Sequence, residues 1–217
     1  HATDSIFCLN CGTRLKYEGI YFSHIGIWKC PTCGEKRPNP TISGCKSPLP
    51  GLYNQYNTLA AVAVAKSLHI KPTLENFKPS FGRQEEIDID GKIIKIFLSK
   101  NPAGFNQSLR TVIELGAKQL LLVLNDRIPD GRDVSWIWDV DFEMLPKNMC
   151  VTVSGDRAYD LALRLKYAGL QSEIQENLEL AVKRSMEKTT AGETLFILPT
   201  YSAMLEVRKI LKGRKIL

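Results

Sequence analysis

No long apolar run occurs in this sequence. Apolar stretches such as Leu59 to Val64 and Leu120 to Leu124 stop far short of the roughly 20 residues needed to cross a bilayer. No membrane span is expected, and no signal peptide precedes Cys8. Charge of one sign is not concentrated either. The 29 Lys+Arg exceed 23 Asp+Glu to give +6, but the basic residues stand singly among acidic ones. The one cluster, Lys209, Lys212, Arg214 and Lys215, reads as a solvated, basic helix end. With no groove-reading motif and no aromatic-basic platform, nucleic acid is not an expected partner. Hydrophobic residues make up 44% and charged residues 24% of the 217, which excludes a disordered or fibrous chain and suits one ordinary domain plus a smaller unit.

Six cysteines are present, yet they are not laid out as a disulfide framework. Cys45 and Cys150 stand alone, while Cys8-Leu9-Asn10-Cys11-Gly12 and Cys30-Pro31-Thr32-Cys33-Gly34 share one plan. Paired Cys-x-x-Cys turns are a metal signature, and the pattern favours a reducing compartment, here the cytoplasm. Each turn aims two thiolates at one point, and the following glycine permits the positive φ such a knuckle needs. The intervening Leu15 to Trp28, with Tyr17, Ile20, Tyr21, Phe22, Ile25 and Ile27, suits a short hairpin with little core of its own. A redox pair would stand alone at a helix start, and a catalytic zinc would keep an open position. Four thiolates close the sphere, so residues 1–40 read as a zinc ribbon with Cys8, Cys11, Cys30 and Cys33 on one structural Zn2+. His24, mid-hairpin, reads as an exposed or packed side chain rather than a replacement ligand.

Residues 37–51, rich in Pro, Gly and Ser, read as a connection. Leu52 to Leu68 favours a helix, which Asn54 and Asn57 at its start could cap, or from which they could offer amides to a ligand. From Lys92 onward strand and helix signals alternate. Strands are expected at Ile93 to Leu98, Gln119 to Leu124, Met149 to Val153 and Thr194 to Leu198. Helices are expected at Pro102 to Gly116, Asp156 to Tyr167, Gln175 to Lys188 and Ser202 to Leu211. Such alternation implies parallel pairing and a Rossmann-like, layered α/β sheet with helices on both faces. Ligands then sit beyond the carboxyl ends of the strands, which selects the loops Ser99 to Pro102, Asn125 to Trp138 and Ser154 to Arg157.

The middle loop, Asn125-Asp126-Arg127-Ile128-Pro129-Asp130-Gly131-Arg132-Asp133-Val134-Ser135-Trp136-Ile137-Trp138-Asp139, packs carboxylates, arginines and tryptophans directly behind a strand. A single loop aspartate is as readily a turn-former or cap; it is their density that points to function. Trp136 and Trp138 alternate, so one can face the core and the other a partner.

Here the sequence resembles the MurT-like, Mur-ligase-related subunit that pairs with the glutaminase GatD. The resemblance is carried by the four-cysteine ribbon, Gly51 with Tyr53-Asn54-Gln55-Tyr56-Asn57-Thr58-Leu59-Ala60-Ala61, Phe81-Gly82-Arg83-Gln84-Glu85, Lys100-Asn101-Pro102-Ala103-Gly104, and the Asp130-Gly131-Arg132-Asp133 loop running to Asp139. It implies a ribbon, a linker and helix left from a Mur ligase middle domain over 41–80, and a Mur ligase carboxy-terminal α/β domain over 81–217. It also implies ATP- and glutamine-dependent amidation of the D-glutamate α-carboxylate of lipid II to D-isoglutamine. The implied partner is a GatD-like class I glutaminase in a heterodimer, with ATP and Mg2+ in the complete subunit.

By the same resemblance Asp133 reaches across to orient the partner's catalytic histidine. Asn54, Asn57 and Arg83 would lie near adenine and ribose, and Lys100 and Asn101 near the incoming substrate. Arg83, followed by Gln84-Glu85-Glu86, could equally form a surface ion pair. One departure stands out: no Gly-x-x-x-x-Gly-Lys-[Ser/Thr] phosphate loop occurs in these residues. The chain is therefore expected not to hydrolyse ATP alone. A zinc-ribbon scaffold without a catalytic role is the competing reading.

Overall fold

The computed structural model describes residues 6–22, 25–75, 77–190 and 192–213; His24, Arg214 and Lys215 lie outside them. Two compact units divide the chain, 1–44 and 45–217. In the first, strands β1 (Lys16–Phe22) and β2 (Ile25–Lys29) form an antiparallel hairpin. Tyr17 stands opposite Trp28, which pairs the two largest half-buried rings of a unit that has little else to bury.

The second unit opens with helix α1 (Leu52–Ser67) and then builds one sheet. Strands β3 (Arg83–Ile89) and β4 (Lys92–Phe97) are followed by α2 (Pro102–Glu114), β5 (Gln119–Val123), β6 (Cys150–Ser154), α3 (Ala158–Tyr167), β7 (Glu173–Ile174), α4 (Leu178–Lys188), β8 (Thr194–Pro199) and α5 (Tyr201–Lys212). Short 3-10 turns at Ser135–Asp139 and Phe142–Met144 lie between β5 and β6. The order across the sheet is β3-β4-β8-β5-β6-β7. Leu120, Leu121, Leu122 and Val123 of β5 are all buried because helices cover both faces. On one face Phe105, Leu109 and Val112 of α2 and Leu161 and Leu165 of α3 close the core. On the other, Ala181 and Val182 of α4 and Ala203, Met204 and Val207 of α5 do so.

The layered α/β architecture agrees with the sequence expectation, with three corrections. The sheet is mixed: β3 runs antiparallel to β4 through a tight turn in which Asp88 Oδ1 accepts from the Gly91 amide, at 2.9 Å. Helix α4 starts at Leu178 rather than Gln175, because the Gln175 amide donates to Val153 in continuation of β7 and Asn177 caps the helix through the Leu180 amide. Neither Asn54 nor Asn57 caps α1. The residue before it is Gly51, and the Asn54 amide donates instead to the Pro50 carbonyl, at 2.7 Å.

Candidate functional site

The two knuckles of the ribbon are near copies in their hydrogen bonds. The Cys8 amide donates to Thr13 and the Gly12 amide back to Cys8; the Cys30 amide donates to Glu35 and the Gly34 amide back to Cys30. Gly12 and Gly34 take φ of 72° and 78°, a conformation that an L side chain resists. This shared geometry converges the four sulfurs to within 4.8 Å of one another. Cys8 Sγ lies 3.6 Å from Cys33 Sγ and Cys11 Sγ 3.4 Å from Cys30 Sγ. A tetrahedron with metal–sulfur bonds of about 2.3 Å has edges of about 3.8 Å, so the donor set fits a four-thiolate metal site. Cys8 and Cys30 are buried, Cys11 and Cys33 exposed. The Thr13 side chain and backbone hydrogen-bond Cys11 and hold its thiol down at about 6, which favours the thiolate that a metal takes.

In the α/β unit the Asn54, Asn57, Arg83, Lys100 and Asn101 side chains line one cavity of about 640 Å³. Its walls come from α1, the start of β3 and the first turn of α2. Arg83 does not take part in the ion pairs of its neighbours. Glu86 pairs with Lys95, while Glu85 is gripped by Arg208 and Lys212. Asn101 is partly committed, since its Oδ1 accepts from the Gly104 amide at 2.8 Å and caps α2 ahead of Pro102. Asn54 is buried and Lys100 exposed.

The loop after β5 sorts its carboxylates. Asp126 pairs with Arg157 at 3.1 Å. Asp130 accepts from both the Ser202 amide (2.8 Å) and the Ser202 hydroxyl (2.5 Å) in the first turn of α5. That helix needs an outside cap. Its own N-cap residue, Thr200, makes no side-chain cap bond, its hydroxyl instead accepting from the Asn125 amide at 3.0 Å. Asp133, by contrast, is exposed, and its Oδ1 accepts from the Ser135 amide at 2.8 Å. That amide, with the Ser135 side chain, lowers the Asp133 pKa and keeps the carboxylate charged. Residues 131–133 thus project between two anchors: Asp130 on one side, and buried Val134 and Ile137 on the other. Gly131 makes the turn with φ 88° and open space around its Cα. Trp136 packs inward against Phe105 at 6.1 Å, while Trp138 stays half exposed.

Residues 98–204 match the model of the MurT ligase C-terminal family. The lipid II isoglutaminyl synthase (glutamine-hydrolysing) subunit MurT of Streptococcus pneumoniae is 36% identical over 245 residues, covering 99% of this chain and 54% of that protein. Its counterpart from Staphylococcus aureus strain COL is 35% identical over 232 residues, covering 93% and 51%. The chain is MurT-like. It spans about half the length of the curated relatives it matches. A solved structure of a pseudomurein peptide ligase type C from Methanothermus fervidus superposes over 95% of this chain and 48% of that one with a TM-score of 0.62 at 24% identity, which shows a Mur ligase-like α/β fold.

Within this MurT-type domain, sequence reasoning did not single out the residue that ties the loops together. Asn125, fully buried, donates from its side chain to Ser202 Oγ at 3.0 Å and accepts from the Asp156 amide at 3.0 Å. It joins the loops after β5, β6 and β8 at the carboxyl edge of the sheet. Gln84 escaped notice for the same reason: its amide donates to the Pro50 carbonyl and the Tyr53 hydroxyl, holding α1 to β3. Neither carries a local motif.

Proposed function

We propose that this chain is part of an ATP- and glutamine-dependent ligase that amidates the D-glutamate α-carboxylate of lipid II to D-isoglutamine. In that reading it docks a GatD-like class I glutaminase and supplies Asp133 to the glutaminase active site. The observation that carries the proposal is the single exposed carboxylate held on a short, doubly anchored projection behind a parallel strand. A glutaminase cysteine attacks well only when its histidine is held in one tautomer and its protonated form is stabilised. Asp133 does both by accepting the imidazole N–H from across the interface, and it stays ionised while doing so.

The remaining assignments belong to the same reading. Cys8, Cys11, Cys30 and Cys33 hold a structural Zn2+, a closed four-thiolate site with no position for substrate. Asn54, Asn57 and Arg83 face adenine and ribose, and Lys100 and Asn101 the incoming substrate; their support is that all five share one cavity. ATP with Mg2+, in the complete subunit, supplies the phosphoryl group that activates the carboxylate toward ammonia. Without a phosphate loop this chain alone hydrolyses no ATP. We assign 1–40 to the ribbon, 41–80 to a linker and middle-domain helix, and 81–217 to the carboxy-terminal domain. In support, α1 buries polar Asn54 and Thr58 while apolar Leu52 and Val64 face outward, as expected of a helix taken from a larger core. No described helix is long and apolar enough to cross a membrane, and the cytoplasm is the compartment we assign.

The test is Asp133→Asn in the complex with the glutaminase. Loss of glutamine hydrolysis with association intact supports a catalytic role. Retained hydrolysis defeats it, and loss of association favours the scaffold reading, for which half-exposed Trp138 is the relevant observation.

A further inference from the structure

Resting on the zinc reading above, we propose that the four-cysteine site is also a site of reversible oxidation by peroxides. Cys11 and Cys33 are the sulfurs attacked, Cys30 and Cys8 the sulfurs that close on them, and Zn2+ is released.

The site is lopsided. Each knuckle pairs one buried cysteine with one exposed one: Cys8 and Cys30 are 4% and 0% exposed, whereas Cys11 and Cys33 face solvent. The exposed member is the second cysteine of each Cys-x-x-Cys, directly before the glycine that makes the turn. A Cβ placed on Gly12 or Gly34 would meet no heavy atom within 4 Å among the described residues, so the turn is open beside both outer sulfurs. Cys33 also lines a recess of about 440 Å³ with Lys36 and Arg37. That is ample room for a molecule little larger than water, and the two cations favour the hydroxide that departs from a peroxide.

Exposure alone would let a cysteine climb to irreversible sulfur acids; a neighbouring thiol diverts the first product into a disulfide. Here each exposed sulfur lies against a buried one from the other knuckle. Cys33 Sγ is 3.6 Å from Cys8 Sγ, and Cys11 Sγ is 3.4 Å from Cys30 Sγ. Thr13 Oγ1 donates to Thr32 Oγ1 at 3.0 Å, a contact that ties the two knuckles face to face without a metal. The attacked and closing sulfurs therefore stay together as the metal leaves.

In the first step the exposed sulfur gives an electron pair to one peroxide oxygen. The S–O bond forms as the O–O bond breaks, and the departing hydroxide takes a proton from solvent to leave as water. The buried sulfur then attacks the oxidised one; the S–S bond forms, the S–O bond breaks, and a second water leaves. Over both pairs, four thiolates, two peroxides and four protons give two disulfides and four waters. Sulfur is oxidised and peroxide oxygen reduced. The thiolate is the form that binds metal, so the disulfides leave Zn2+ without donors, and a dithiol reductant restores the site.

The experiment treats the zinc-loaded chain with hydrogen peroxide beside a chromogenic zinc chelator, then blocks remaining thiols and maps disulfides by mass spectrometry. Zinc is expected to fall from about one per chain to near none, with Cys8–Cys33 and Cys11–Cys30 disulfides, and to be taken up again after dithiothreitol. A Cys45→Ser/Cys150→Ser variant is expected to release zinc as wild type does. With limiting peroxide, a sulfenic-acid probe is expected to label Cys11 and Cys33. Zinc retained while exposed Cys150 becomes oxidised overturns the oxidation site and leaves the zinc reading standing. Disulfides within a knuckle, or labelling of Cys8 or Cys30, overturn the assigned pairs. A folded ribbon isolated without metal overturns the zinc reading and the oxidation site together.

Discussion

Asp130 and Asp133 are the same residue type in one loop, and hydrogen bonding separates their roles. Asp130 spends both oxygens on Ser202 and so caps α5 from outside; Asp133 keeps one oxygen for its own turn and offers the other to solvent. Asp130→Ala is expected to lower stability by about 1–2 kcal/mol through loss of a cap and of a bonded hydroxyl. Chemical denaturation measures it, and a loss under 0.5 kcal/mol (~0.3–0.5 is the scatter of a neutral surface change) would contradict the capping role. Asp133→Asn is expected to leave that midpoint unchanged while lowering glutaminase turnover by orders of magnitude, up to about ten thousandfold, as when the orienting aspartate of a triad becomes its amide. A steady-state assay of the complex decides. The dense acids behind β5 made the loop legible in the sequence, but the division of labour within it was not. It depends on Ser202, 72 residues from Asp130, and no local pattern reports a partner so far away. Asn125 is opaque for the same reason, its Thr200 and Ser202 partners lying 75 and 77 residues on.

Among elements, those that depend on nearby chemistry were the readable ones. Each knuckle closes on itself within a few residues, so Cys-x-x-Cys-Gly announces it. The buried strand at Gln119–Val123 and the Pro-led, Asn-capped α2 are equally self-contained. Strand β3 was missed because it opens on Arg83-Gln84-Glu85-Glu86, a charged run whose meaning comes from neighbours: Glu85 is held by α5 and Gln84 by Tyr53. Because a metal supplies most of the folding free energy of so small a hairpin, one zinc per chain is expected by elemental analysis. Cys30→Ser, which deletes a buried ligand, should unfold the ribbon and leave the α/β unit's thermal transition in place. Iron, or a metal-free folded ribbon, would contradict this.

At the scale of the molecule, Glu85 joins strand to helix. Burial alone raises its pKa, but hydrogen bonds from Arg208 and Lys212 and the Gly82 amide outweigh that and bring it from 4.5 to about 2. Because the folded value is depressed, this contribution is present in full above about 4.5 and is lost as pH falls toward 2; it amounts to at most about 3 kcal/mol. Glu85→Gln is therefore expected to flatten the stability profile of the α/β unit between pH 4.5 and 2, as read from urea midpoints; an unchanged slope would show that other carboxylates dominate. The strand order has a consequence for biosynthesis. Strand β8, which lies between β4 and β5, comes last in chain order among the six strands of that sheet. Until residues 194–199 have emerged, β4 and β5 have no common neighbour, and the nascent unit cannot close its sheet. A chain ending at residue 190 should consequently show no cooperative unfolding transition by circular dichroism, although it contains five of the six strands of that sheet; a sharp transition would mean that the early strands pair without their centre. Folding of the sheet thus waits on the synthesis of β8, and exposed β4 and β5 edges are what a chaperone would meet during that delay.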